Sequence, residues 1–311
     1  MADWGLAAIR FALYADLMLL FGLPLFSLYA VDSAKRHQLG GLPVRALTGW
    51  LALIGIALSL LSIFAMTAAM FGVSPFQVDL ASVAAMIFET EMGTGWTVRM
   101  LALIFVLLAS NVMARDRLLN WLLVASTGAA TALASLAWTG HGAAGEGAKG
   151  TVQLIADIVH LLAAGAWLGA LFAFAAMLLC NPATVTAGHL RLTHHALDRF
   201  SVAGAIIVAL VVISGLVNSW MLVGPQNILM LHTTLYGQLL IAKLLLFVIM
   251  LILAATNRFR LTPAFDGALQ SGATSDAVGK LRLSLALELG IATTILGLVA
   301  WFGMLQPPMS M

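Results

Sequence analysis

Eight apolar runs, at about residues 6–30, 46–71, 95–114, 118–139, 152–179, 200–223, 233–255 and 282–305, dominate the chain. Each is near or above the ~20 residues a helix needs to cross ~30 Å of hydrocarbon. The runs are continuous, whereas strands of an outer-membrane barrel alternate over segments of about ten residues. The predicted fold class is therefore all-α, a polytopic membrane protein built as an eight-transmembrane-helix bundle. Composition excludes a soluble globule: only 9% of the 311 residues are charged and 62% are hydrophobic, against roughly 25% charged in a soluble domain. The formal net charge of +2 gives no footprint for nucleic acid. The single cysteine, Cys180, excludes an internal disulfide, a CxxC redox pair and an all-thiolate metal centre. Metal chemistry, if present, falls to His, Met or carboxylates.

The basic residues are sorted by side. Lys35, Arg36, Arg45, Arg115, Arg117, Arg191, Arg199, Arg258, Arg260, Lys280 and Arg282, eleven of the fifteen, fall at alternate connections, with Arg10 and Arg99 near helix ends on the other side. The positive-inside rule makes the rich side cytoplasmic and predicts both termini on the extracytoplasmic side. The first run lacks a basic leader and a small-residue cleavage site, and reads as a retained signal anchor. Two connections are long. Residues 72–94 space Phe76, Leu80, Val83, Ile87 and Phe88 on one helical face, which predicts an interfacial helix near 76–91. Residues 256–280, with Pro263 and several glycines, read as a flexible loop. The expected organisation is an N-terminal four-helix half, 1–139, and a C-terminal four-helix half, 140–311, with no soluble domain appended.

Ionisable groups in hydrocarbon are costly enough to mark function or helix pairing, and the runs hold few: Asp16, Asp157, His160, Lys243 and Glu288, beside the polar Asn218. At ~1.5 Å per residue, His160 lies roughly 12 Å down its helix, with Asp157 a turn above and Lys243 and Asp16 near the midplane. Two readings of Asp16, Lys243 and Glu288 are open: a charged network supporting a polar pathway, or pairing that locks helices together. Among the histidines, His37, His189, His194 and His195 sit among basic residues in cytoplasmic loops, where solvation or contact with membrane lipid head groups accounts for them. His141, His160 and His232 lie on or open to the other side. His141 begins the loop leading to the His160 helix, so the two imidazoles can share a metal; a core histidine bonded across helices is the competing reading. Imidazole with thioether suits copper. Met66, Met70, Met86, Met92, Met304, Met309 and Met311 gather toward the same face, although most membrane methionines are packing. Met304, Asp157 and His232 are the candidate additional ligands or pathway residues. No P-loop is present, and one intramembrane histidine falls short of the four that a di-haem cytochrome needs, so no enzymatic activity is expected.

The segments TGHGAAGEGAKG (139–150) and DIVHLLAAGAWLGALFAF (157–174) resemble the signature of the copper resistance D family of inner-membrane proteins. RFSVAGAIIVALVVISGLVNSW (199–220), YGQLLIAKLLLFVIMLILAATNRFRLTP (236–263) and LRLSLALELGIATTILGLVAWFGMLQPP (281–308) are similar to that family's last three helices, and residues 10–30 look like the first helix of its stand-alone form. The resemblance implies copper homeostasis at the cytoplasmic membrane, with a periplasmic CopC-like copper-binding protein as partner. It maps the loop histidine onto His141, the helix histidine onto His160, the lysine onto Lys243 and the glutamate onto Glu288. Some members carry a first-helix histidine where this chain has Leu13-Tyr14, so a third imidazole from that helix is not expected. The implied function is copper binding at the periplasmic side and transport across the membrane, inward. The alternatives are a non-transporting copper chaperone or sensor docking a copper carrier, and a proton-coupled transporter of an organic solute.

Overall fold

The computed structural model describes residues 4–30, 43–114, 116–139, 147–179, 187–272 and 274–305. The described residues form helices α1 (Trp4–Tyr29), α2 (Val44–Phe71), α3 (Leu80–Glu89), α4 (Glu91–Val112), α5 (Leu118–Ala134), α6 (Gly147–Leu179), α7 (Ala187–Val223), α8 (Leu235–Thr256), α9 (Thr262–Ser271) and α10 (Ser275–Phe302). Short 3-10 turns follow α5 and α7, and a π-helical turn, Asn257–Leu261, joins α8 to α9. Eight helical segments are long and apolar enough to span a membrane, and the protein is a multi-pass helical membrane protein.

Lipid tails are as apolar as leucine, so close backbone approach, more than burial from water, drives helix association here. The tightest crossing lies between α1 and α6. A Cβ on Gly22 would stand 2.4 Å from the Gly165 carbonyl oxygen, and one on Gly169 would stand 2.4 Å from Gly22 Cα. Only glycine fits there. The Gly165-xxx-Gly169 spacing gives α6 a smooth groove that admits α1, which packs most heavily on α6, α2 and α5. Leu17, Leu20, Phe26 and Phe174 fill the resulting core. α1 and α6 are the most buried spans, while α7 and α8 present most of their surface outward.

At the basic end, arginines close helices. Arg45 donates to the Ser110 carbonyl at 2.8 Å and to the Met113 carbonyl, and stacks over Trp121. Arg282 Nε reaches the Leu178 carbonyl at 2.5 Å. Carbonyls at helix C-termini lack intrahelical donors and carry partial negative charge, so part of the basic bias serves as capping.

Three expectations are corrected. The helix expected near 76–91 is shorter: a 3-10 turn at Pro75–Gln77 precedes α3, which starts at Leu80 because Asp79 caps it, accepting the Ser82 N–H at 2.7 Å. That bond holds the Asp79 carboxyl below its ordinary value. Thr90 then ends α3 and caps α4, accepting the Gly93 N–H at 2.9 Å. The stretch 256–280 is largely helical: Pro263 falls in the first turn of α9, where a missing N–H leaves no bond unmade. Finally, α7 begins at Ala187, so His189, His194 and His195 lie on a helix. Its 37 residues extend ~55 Å, well beyond the hydrocarbon, and its basic end packs against α9.

Candidate metal centre

α6 and α7 run antiparallel and match polar residues in register. Asp157 and His160, three apart on α6, share a face, as do Ser214 and Asn218, four apart on α7. Asn218 Nδ2 donates to Asp157 Oδ1 at 2.6 Å, and one turn deeper His160 Nδ1 lies 3.0 Å from Ser214 Oγ. The Ser214 hydroxyl has one proton, and the Leu210 carbonyl, at 2.5 Å, takes it. Ser214 Oγ therefore accepts from His160 Nδ1–H. This fixes the tautomer: Nε2 carries the lone pair and is the nitrogen available to a metal. Gly215 lies beside the ring, where a Cβ would meet the imidazole Cε1 at an ordinary contact distance of 3.4 Å.

His160 lines a cavity of about 330 Å³ whose walls include Tyr14 and Met18 of α1, Trp167 of α6 and Lys243 and Phe247 of α8. The Lys243 ammonium sits 5.8 Å from the Phe302 ring centroid, within electrostatic range of both Asp157 and His160. A cation at His160 is thus repelled by Lys243 and drawn by Asp157, whose second oxygen remains free of the Asn218 bond. The chemistry on offer is an oriented imidazole on a mostly apolar cavity wall, with an acidic side chain one turn away on the same helix.

The sequence candidates divide. Asp157 and His160 are brought to one face, and Lys243 to the same cavity. His141 lies outside the described residues. His232 is exposed on the 3-10 turn Pro225–Thr233, its carbonyl accepting from Gln238 at 3.0 Å, and Met304 is half-buried just past α10; neither lines the His160 cavity. Among the described residues no group of three or more His, Cys, Asp or Glu side chains converges to hold a metal. Asp16, Lys243 and Glu288 stand in three separate places. Tyr14 and Met18 face the cavity, so Asp16, about 200° from Tyr14 around the helix, points away. Its carboxyl packs against Gly55 and Leu103 with neither oxygen hydrogen-bonded. Glu288 accepts from Asn257 at the π turn, in a different cavity.

Two residues escaped the sequence reading. Ser214 orients the imidazole, and its signal was the four-residue spacing to Asn218 matching the His160–Asp157 pair. Arg99, expected near a helix end, is 1% exposed inside the bundle, with Nε donating to Ser59 Oγ at 3.0 Å one turn from Asp16's neighbours Gly55 and Leu103.

The eight spans, with an intramembrane histidine on a polar ladder between α6 and α7, define the class as a multi-pass helical membrane protein with a polar intramembrane site. Within it, the chain belongs to the copper resistance protein D family. The family model described as "Copper resistance protein D-like, N-terminal domain" matches residues 1–151, and that described as "Copper resistance protein D" matches residues 194–302. A copper resistance protein D of Pseudomonas syringae pv. tomato is 45% identical over 302 residues, covering 97% of this chain and 96% of the relative. The copper transport protein CutJ of Bacillus subtilis (strain 168) is 34% identical over 81% of this chain, which spans only 46% of that longer protein. The inner membrane protein YebZ of Escherichia coli (strain K12) is 29% identical, with 82% and 84% covered. No solved structure matches.

Proposed function

We propose that this protein binds copper at the periplasmic side of the bacterial inner membrane, through His160 and His141, and passes it across, inward, without catalysing a reaction. The reading takes both termini as periplasmic, so that the His160 end faces the periplasm and the arginine-capped end the cytoplasm. The observation that carries it is the Ser214-held imidazole of His160, a residue that lines a cavity between spans. Copper is the cargo because a relative that matches nearly the whole chain is named for copper resistance and another for copper transport. Asp157 supplies a carboxylate one turn above, and a CopC-like periplasmic protein is the proposed donor.

The test is elemental analysis of purified protein after copper loading and washing, beside His160→Ala and His141→Ala. Stoichiometric copper lost in both variants supports a shared site. Equal copper in all three, or none in any, overturns it. The second reading, a non-transporting chaperone or sensor, is favoured by the lack of a closed three-ligand cluster among the described residues. Copper entry into proteoliposomes separates the two, since a docking protein binds without flux.

A further inference from the structure

Small residues in membrane helices normally let neighbouring backbones meet, as Gly22, Gly165 and Gly169 do between α1 and α6. α7 uses them differently. Ser201, Gly204 and Ala205 line a cavity of about 610 Å³, together with Ala254 and Ala255 of α8. A Cβ on Gly204 would first meet the Phe200 ring of its own helix, at 3.0 Å, and the three atoms nearest to it all belong to that ring, none to α8. The two helices therefore stand apart at the very residues that could bring them together, and the space between them is a slot. Trp167, Leu171 and Phe174 of α6 form its floor. Ala205 and Ala255 are exposed as well as lining it, so the slot opens sideways toward the bilayer.

The slot becomes polar where the apolar runs of α7 and α8 end, near residues 200 and 255. There Arg258 of the π turn lines it, beside His194 and Asp198 of α7 and Asp266 of α9. Among the described residues Arg258 forms no ion pair, and its guanidinium sits 5.3 Å from the ring centroid of Phe259, itself 70% exposed. His194 and Asp266 face each other at 3.6 Å, while Asp198 is exposed. From Arg258 back to Leu251 the slot follows α8 for ~10 Å, about two thirds of the ~15 Å of hydrocarbon in one leaflet. Apolar space that opens on lipid does not stay empty, because its lining would forfeit dispersion contacts.

We propose that this slot binds one phospholipid of the leaflet at the basic end, phosphatidylethanolamine. Its phosphate rests on Arg258, its ammonium turns toward Asp198 and Asp266, and one acyl chain lies between α7 and α8 as far as Trp167. Arginine is suited to phosphate because its planar fork can donate two parallel hydrogen bonds, and a volume of several hundred Å³ takes a whole ligand or a large part of one. Charge selects the headgroup. A purely anionic head would set its charge against two carboxylates, whereas ethanolamine brings them a cation while its phosphate meets the guanidinium. The order along the slot, charged end at the head-group level and alanine, valine and leucine deeper, matches the order along the lipid. The chain tip ends at Trp167 and Leu171, which also line the His160 cavity, but the lipid site requires nothing of His160 or of copper.

The experiment strips the purified full-length protein of lipid in detergent, titrates it with dioleoyl phosphatidylethanolamine or dioleoyl phosphatidylglycerol, and counts bound lipid by native mass spectrometry. One tightly held phosphatidylethanolamine is expected, with phosphatidylglycerol weaker. Ala205→Trp fills the slot from an exposed position on α7 and should abolish that adduct; Ala255→Trp fills it from α8 and should do the same, so the result does not hang on the folding of one variant. Ile206→Trp adds similar bulk one residue further on, at a position 58% exposed and outside the slot, and should keep the lipid. Arg258→Gln should weaken binding about fivefold, the worth of one arginine at a lipid surface, and Asp198→Asn should narrow the preference for ethanolamine over glycerol. Full binding in Ala205→Trp and Ala255→Trp, or an equal loss in Ile206→Trp, overturns the slot. Equal affinity for the two lipids overturns the assignment of its occupant.

Discussion

Removing the Ser214 hydroxyl separates an oriented metal ligand from a histidine that merely pairs helices. In Ser214→Ala the imidazole stays but loses the hydroxyl 3.0 Å from Nδ1 and keeps only its backbone hydrogen bond with Val211, so the ring is freer to turn and to adopt the other tautomer. Groups that orient a metal-bound histidine contribute about 10–100-fold to affinity when removed, which is ~1.4–2.8 kcal/mol. The packing change is small, because a single oxygen atom is removed, so thermal stability should stay close to wild type. Competition against a chromophoric copper chelator reads the affinity, and a melting curve in detergent reads the fold. Ser214→Ala should fall between the wild type and His160→Ala, and Ser214→Thr, which keeps the hydroxyl, should recover most of the loss. Wild-type affinity in Ser214→Ala would refute the tautomer argument. An affinity loss that tracks a fall in melting temperature would show the hydroxyl to be a helix-packing group.

The glycine crossing gives an independent check on the architecture. In Gly169→Ala the new Cβ would lie 2.4 Å from Gly22 Cα, and ordinary contact begins near 3.4 Å, so α1 and α6 must part by about 1 Å; overpacking of this kind costs ~1–3 kcal/mol. A lowered melting temperature with weaker copper binding is expected, since Met18 and His160 line one cavity from these two helices, and an unchanged melting curve would contradict the crossing. The pH dependence follows from the ligand atom: protons and metal compete for the His160 imidazole, so copper affinity should fall only when the pH is low enough to protonate that buried ring, and recover on return. Affinity that stays constant down to the pH at which the fold itself is lost would rule out an imidazole ligand.

Much of the fold was legible because the solvent is lipid. Backbone groups in hydrocarbon must be satisfied within their own segment, so continuous apolar runs can only be helices, and eight runs became eight spans. The errors fell where lipid no longer dictates. In 256–280 a proline and several glycines suggested a loop, yet Pro263 sits in a first helical turn, where it breaks nothing. At 187–199 polarity hid a helix that projects beyond the membrane and is held by α9.

The sequence by itself determined which residues were chemically expensive: Asp16, Asp157, His160, Lys243 and Glu288 stood out because charge and imidazole are rare in hydrocarbon. Which of them act together was decided by the tertiary structure. Helix rotation turns Asp16 toward Gly55 and away from the Met18 face, and the antiparallel register of α6 and α7 sets Asp157 on Asn218 and His160 on Ser214. The π turn brings Asn257 to Glu288. Composition registers the cost of burying a polar group; the rotation and register that relieve it come from packing between helices distant in sequence, which no run of apolar residues encodes.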